Sequence, residues 1–249
     1  MILSEQVGLI TGGASGIGKH LVESLSGSLR ALHVIDKNVG ALDEIATANP
    51  ALHTHTCDLT DFEAVQNTVR AAFESDAPPT VLINNAGMIH SEPLINLMSP
   101  DDRKHSLDNW HRTIDVNLNT VFYMTLCFAD AMLQRRLKGV VISISSITAC
   151  GNAGQSAYAA AKAGVNAMTV TWAKELGVMG IRAAAIAPGF INTPSTNSAL
   201  SEGHIKHIKK NTPLNRLGDV EDVAGAVRFI IENDFFNGRV IEIDGGIRI

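Results

Sequence analysis

Short apolar runs alternate with stretches of helical spacing along the whole chain, and this alternation constrains the fold more than any other feature. Strands are predicted at Val7–Thr11, Ala31–Ile35, Leu52–Thr56, Thr80–Ile83, Val140–Ile144, Ile181–Ile186 and Val240–Ile243. Helices are predicted from Ile17 to about Leu25, from Asp61 to about Glu74, from Leu107 to about Arg136, from Ser156 to about Val178 and from Val220 to about Glu232. In the second of these, Phe62, Val65, Val69 and Phe73 share one face. Continuous apolar runs suit strands buried on both faces, and strand–helix alternation implies parallel pairing. The expectation is an α/β fold, a single doubly wound Rossmann-like domain with a parallel sheet of about seven strands. Ligands on such sheets bind beyond the carboxyl ends of the strands.

With 249 residues and no linker or repeat, the chain reads as one domain, 1–249. A hydrophobic fraction of 45% with 18% charged residues excludes disorder, and a formal charge of −5 argues against a basic nucleic-acid surface. Cys57, Cys127 and Cys150 form no CxxC pair, so small core residues are expected rather than a disulfide framework or zinc site. No metal site is expected from the histidines. The N-terminus has neither the basic flank nor the apolar length of a signal peptide, and no apolar run approaches the ~18 residues of a membrane span. A cytoplasmic protein without membrane or nucleic-acid partners is the resulting expectation.

The first strand runs into Thr11-Gly12-Gly13-Ala14-Ser15-Gly16-Ile17-Gly18. Glycines at GxxxGxG spacing let the backbone approach a pyrophosphate, and the following helix offers free N–H groups to it. Gly12, Ser15, Gly16, Ile17 and Gly18 are therefore candidate cofactor residues. Strand two ends in Asp36, eighteen residues after Gly18, where a carboxylate can accept hydrogen bonds from an adenosine ribose. Its charge would repel a 2′-phosphate and so favours NAD over NADP; the adjacent Lys37 weakens that preference slightly. Asp58 and Leu59 follow strand three, where a carboxylate and an apolar side chain could flank an adenine. In the second half, Tyr158 and Lys162 are four apart and share a helix face. A phenol with a pKa near 10 is a poor base at neutral pH, and a nearby ammonium lowers that pKa. The small residues around the pair argue for a closely packed helix.

These motifs, together with Asn84-Asn85-Ala86-Gly87, Val116-Asn117, Pro188-Gly189 with Thr193, and Asp244-Gly245-Gly246, occur in the order of the short-chain dehydrogenases/reductases, which the chain resembles over essentially its whole length. By that resemblance Tyr158 donates or accepts the proton. Lys162 lowers its pKa and holds the nicotinamide ribose, and Asn117 supports a water relay to Lys162. A serine at the end of strand five binds the substrate oxygen. Asn85, Ala86, Gly87, Pro188, Gly189, Ile191 and Thr193 would line the cofactor. The usual thirteen-residue spacing before the tyrosine selects Ser145, whereas aligning the strand selects Ser146 with a one-residue deletion in the following loop. A register slip turns over every side chain of a strand, while loops tolerate deletions, so Ser146 is favoured and Ser145 is the alternative.

The C-terminal segments Arg216–Asp219, Ile230–Asn233, Asn237–Ile241 and Asp244–Arg248, and the long connection between Gly87 and Asn117, are similar to the type 2 3-hydroxyacyl-CoA dehydrogenase branch, also called 17-beta-hydroxysteroid dehydrogenase type 10. This implies NAD-dependent interconversion of a secondary alcohol and a ketone, first a 3-hydroxyacyl-CoA. A hydroxysteroid or other bulky alcohol is the alternative substrate, and a non-catalytic nucleotide-binding scaffold the alternative of another class. The resemblance also implies a lid around 190–213 and a homo-oligomer, tetramer favoured, built through the long helices carrying Asn117 and Tyr158. Within the lid, His204, Lys206, His207, Lys209 and Lys210 form a basic cluster suited to anionic phosphates.

Overall fold

The computed structural model describes every residue except Pro100, Asp101, Pro194, Ser195 and 197–199. Seven strands form one sheet: β1 (Val7–Thr11), β2 (Ala31–Asp36), β3 (Leu52–Thr56), β4 (Val81–Asn84), β5 (Gly139–Ile144), β6 (Ile181–Pro188) and β7 (Val240–Ile243). Their order is β3-β2-β1-β4-β5-β6-β7, and every neighbouring pair is parallel. The order reverses between β1 and β4, which opens a crevice at their carboxyl ends.

The helices are α1 (Gly16–Ser26), α2 (Val39–Ala48), α3 (Phe62–Glu74), α4 (Leu107–Ile114), α5 (Thr120–Gln134), α6 (Ser156–Gly177), α7 (Glu202–Asn211) and α8 (Val220–Glu232). Alternation along the strands fills two layers. Ile10 and Val34 face a cluster with Leu21, Leu25, Val227 and Ile230, while Leu9 and Ile35 face one with Val65, Phe73, Met124 and Phe128.

Several elements depart from the sequence expectation for identifiable reasons. Helix α2 was not predicted between β2 and β3; it buries only Leu42 and Ile45, too few apolar residues for a periodic signal, and starts on Asn38, whose side chain accepts the Ala41 N–H. Strand β3 lies at the sheet edge and is only partly covered, not buried on both faces. Phe62 stays 37% exposed beside Tyr123, because Asp61 caps α3 immediately before it. Cys150 is exposed at the end of a 3-10 turn, Ile147–Cys150, and is not a core residue.

The single long helix expected from Leu107 is α4 and α5 joined by a π-helical turn, Asp115–Asn119. Leu107–Gln134 is apolar and long enough to cross a membrane on composition, which counting uninterrupted apolar runs misses; Met124, Phe128 and Met132 in it are fully buried against the sheet. Helix α6 packs closely on this turn at Gly164, where a Cβ would lie 2.8 Å from Leu118 Cδ1.

Candidate active site

The glycine-rich loop sits at the reversal of strand order. A Cβ on Gly18 would lie 2.0 Å from the Gly12 carbonyl oxygen, so only glycine lets α1 start this close to the loop. Gly16 has φ +52° and faces open space, the opening that a bound pyrophosphate requires. Ser15 precedes α1 in an extended conformation and its side chain caps nothing, leaving the first-turn amides of Gly16, Ile17 and Gly18 for an anion. These residues fit the diphosphate of a dinucleotide.

Asn85 and Ala86 hold this loop in place. Asn85 Nδ2 donates to the Thr11 and Gly12 carbonyls at 3.0 Å each, and the Asn85 and Ala86 amides both donate to Thr11 Oγ1. Asp36 also serves the loop, since its Oδ2 accepts the Ala14 N–H at 3.1 Å and its Oδ1 accepts that of Asn38 at 3.0 Å. Asp58 is exposed and accepts the Thr60 N–H and hydroxyl, which hold its carboxyl below its ordinary range. Leu59 departs from its expected place beside an adenine: its side chain is buried in the core with Ile35 and Val65.

On the other side of the crevice, α6 presents Tyr158 and Lys162 together, with Lys162 Nζ 5.7 Å from the Tyr158 ring centre. Lys162 is almost completely buried and donates to the Ile144 carbonyl at 2.9 Å; burial brings its pKa down to about 8. Tyr158 is also buried. Burial pushes the phenol up, a hydrogen bond with Ser146 acts in the opposite direction, and the lowering expected from Lys162 does not prevail.

The two serines separate clearly. Ser145 is buried, its Oγ directed to the Lys162 carbonyl at 3.3 Å and its amide to the Ile186 carbonyl. Ser146, just beyond β5, accepts from Thr148 N–H and Thr148 Oγ1 and reaches Tyr158. The geometry therefore brings Ser146 to the tyrosine.

Asn117 is fully buried in the π turn. Its Nδ2 donates to the Met88 and Thr113 carbonyls at 2.9 Å each, and its Oδ1 accepts the Met88 N–H at 3.1 Å. A Cβ on Gly87 would lie 2.8 Å from Asn117 Oδ1 and 3.6 Å from Lys162 Nζ, so both border this glycine.

Pro188 closes β6, and the Gly189 amide donates to the Ile243 carbonyl. The Ile191 side chain is packed into the core and against Gly218, so only its backbone is left for a ligand. Thr193 is buried, with its hydroxyl 3.0 Å from that of Thr196. Of the segment expected to form a lid, around 190–213, Pro194, Ser195 and 197–199 lie outside the described residues. Ile191 and Gly218 pair in a parallel bridge, so this segment leaves and rejoins the body at one point. Its helix α7 buries no residue and exposes His204, Lys206, His207, Lys209 and Lys210. Among the described residues no group of three or more His, Cys, Asp or Glu side chains has the geometry of a metal site.

The site also contains a polar cluster that the sequence reading missed: Glu92 with His90, His105 and Asn109. Its signal was the run His90-Ser91-Glu92, with His105 and Asn109 following around the start of α4.

The sequence model for short chain dehydrogenase matches residues 6–203. The chain belongs to the short chain dehydrogenase family. A 3-oxoacyl-[acyl-carrier-protein] reductase of Thermotoga maritima is 36% identical over 256 residues, covering 100% of both chains. Human 3-hydroxyacyl-CoA dehydrogenase type-2 is 34% identical, covering 98% of this chain and 95% of that one. Human (3R)-3-hydroxyacyl-CoA dehydrogenase is 33% identical, covering 98% and 96%. A crystal structure from Agrobacterium tumefaciens, provisionally assigned as a gluconate dehydrogenase, superposes with a TM-score of 0.88 at 26% identity, covering 99% and 98%. The short chain dehydrogenase described here is thus an oxidoreductase that interconverts a secondary alcohol and a ketone and binds a nicotinamide dinucleotide.

Proposed function

We propose that this chain is an NAD-dependent dehydrogenase/reductase whose substrate is a 3-hydroxyacyl thioester, first a 3-hydroxyacyl-CoA, or its ketone. The observation that carries the catalytic reading is that α6 sets Tyr158 beside Ser146 and over buried Lys162, whose Nζ lies 5.7 Å from the ring centre. A nicotinamide in the crevice supplies or accepts the hydride. The first-turn amides of α1 would hold the diphosphate, and Asp36, half-buried beside the glycine loop, would accept from the adenosine ribose and disfavour a 2′-phosphate. Thr193 and the backbones from Pro188 to Ile191 line its other end.

Ser146 donates to the substrate oxygen and orients it against the Tyr158 hydroxyl, which exchanges the proton with that oxygen. Lys162, with a pKa near 8, retains an ammonium at neutral pH that favours the phenolate. Asn117 fixes Met88 and the edge of the site beside Lys162.

The acyl thioester reading rests on the relatives' activities and on charge. Helix α7 presents Lys206, Lys209 and Lys210 as exposed cations, beside a cavity of about 210 Å³ lined by Lys209, Ile205 and Leu217 together with Asp219 and with Arg216, which is paired with Asp222 at 2.7 Å. Phosphates of a CoA would meet these cations, and 190–213 would serve as the lid.

The test is oxidation of NADH by acetoacetyl-CoA, followed by absorbance, with NADPH as the matched reaction. Rapid loss of NADH, slower loss of NADPH, and a fall of at least ~10²-fold in kcat for Tyr158→Phe are the expected results. Preference for NADPH would overturn the Asp36 assignment. Turnover of hydroxysteroids alone would overturn the acyl thioester, and undiminished Tyr158→Phe activity would overturn the catalytic assignment.

A further inference from the structure

Between β4 and α4 the chain forms a strap whose bonds are not explained by the residues assigned above. It begins at Met88, clamped at both its N–H and its carbonyl by Asn117. Four residues later Glu92 makes the second attachment. Its Oε1 accepts the Ser106 N–H at 2.9 Å, and its Oε2 accepts from Asn109 Nδ2 and pairs with His90 Nε2, both at 3.0 Å. Its own amide donates to the Gly154 carbonyl at 2.6 Å. The preceding residue, Ser91, accepts from Gln155 Nε2 at 3.0 Å.

This strap thus joins two bodies. One is α4, through Ser106 and Asn109. The other is the loop that leads into α6, three residues before Tyr158. Within that loop Asn152 Nδ2 donates to Gln155 Oε1 at 3.0 Å and the Gln155 N–H donates to the Asn152 carbonyl at 3.1 Å, bonds internal to the turn that do not anchor it to α4. Gly151 (φ +107°) and Gly154 (φ +77°) adopt left-handed backbone conformations and face open space. Only a group with two acceptor oxygens and no donor satisfies three donors arriving from different directions, and an ionised carboxylate is that group. The same bonds, from His90, Ser106 and Asn109, hold its pKa down to about 2, so the anion persists through any ordinary assay pH. The glycine-rich cofactor loop hangs instead from Thr11, Asn85 and Asp36, separate from Glu92.

We infer that Glu92 is a positioning residue for the ketone side of the site: its carboxylate ties the strap to α4 and so holds in place the backbone bond from its amide to Gly154 and the neighbouring Ser91–Gln155 bond, which fix Gln155 and the first turn of α6, and hence Tyr158, against the substrate. This inference rests on the catalytic reading proposed above. A reacting group displaced by about 1 Å can cost 10²-fold in rate, so loss of this restraint is felt by the substrate and not by the dinucleotide.

The experiment compares wild type with Glu92→Ala, in two arms. The first measures acetoacetyl-CoA reduction and NADH affinity, the latter by fluorescence. The expected result is a kcat for the ketone lowered ~10-fold, with its KM and the NADH Kd within about twofold. Ser91→Ala, which cuts only the link to Gln155, should lower kcat less and not add to Glu92→Ala. The second arm is amide hydrogen exchange, which needs no substrate: faster exchange confined to 88–92 and 151–156 is expected. If Glu92→Ala does not fold, Glu92→Gln and Ser91→Ala carry both arms. An unchanged kcat overturns the inference, as does parallel loss of kcat, ketone binding and NADH affinity with faster exchange throughout the fold. If wild type reduces no ketone, the catalytic reading fails by itself, and exchange decides for Glu92: unchanged rates at 151–156 overturn its role, and locally faster rates uphold it.

Discussion

Ser145 and Ser146 are adjacent, yet their hydroxyls lie in different environments. Ser145, the first residue past β5, still bonds to β6 and turns its hydroxyl into the interior toward the Lys162 carbonyl, while Ser146, one residue on, meets Tyr158. Ser146→Ala should therefore lose kcat by ~10²-fold. Ser145→Ala should keep most of its turnover and lose some thermal stability. Steady-state kinetics and melting curves of the two variants check this, and the reverse pattern would restore the thirteen-residue spacing as the better guide. A second residue-scale prediction concerns His33, fully buried, stacked on His53 and hydrogen-bonded to His55 and the Ala77 carbonyl. Burial brings its pKa from 6.5 down to about 4. The unfolded chain therefore takes up a proton below pH 6.5 that the folded chain refuses until about pH 4. Stability is complete above the higher value and falls as pH drops between the two, by about 3 kcal/mol from this residue alone. Urea midpoints measured from pH 7 to pH 4 should show the fall, and His33→Gln should flatten it.

Among the elements, α8 owes its C-terminal end to a residue on β6. Arg182 donates to the Ile230 carbonyl at 2.8 Å, to the Ile231 carbonyl at 3.0 Å and to the Phe236 carbonyl at 3.0 Å. Those carbonyls have no helical donor of their own. Arg182→Ala leaves buried acceptors unpaired at several points, and a loss of about 2–4 kcal/mol is expected from urea unfolding. A loss below about 0.5 kcal/mol would mean that water replaces the guanidinium there. The π turn is a second case. It places the Asn117 side chain where it can grip Met88, and Gly164 lets α6 come close enough to set Lys162 on the other side of Gly87.

For the whole molecule, the outward faces of the two long helices carry the main prediction. Phe122 and Leu126 on α5 are 44% and 46% exposed, and Val170 on α6 is 37% exposed. We expect these faces to be covered by further copies of the chain, in a homotetramer. Light scattering at micromolar concentration should give four times the chain mass, and Phe122→Asp with Leu126→Asp should reduce it. A monomeric mass for the unaltered chain would refute this.

Sequence alone determined the parallel α/β architecture, the glycine-rich loop, Asp36 and the Tyr158–Lys162 pair, because each depends on local information. Strand and helix periods are written in consecutive residues, and a turn that admits only glycine announces itself. The same locality explains the failures. Helix α2 lacked a periodic apolar face, and the motifs that name Leu59 and Ile191 do not tell that packing turns their side chains into the core and leaves their backbones to meet a ligand. The tertiary structure decided what depends on approach across the fold. It brought Ser146 rather than Ser145 to Tyr158, and burial rather than Lys162 set the direction of the tyrosine's pKa. It also gathered Glu92, Ser106, Asn109 and Gly154 from three separate segments. Desolvation and hydrogen bonds between distant residues have no period in the chain; they exist only once the segments meet.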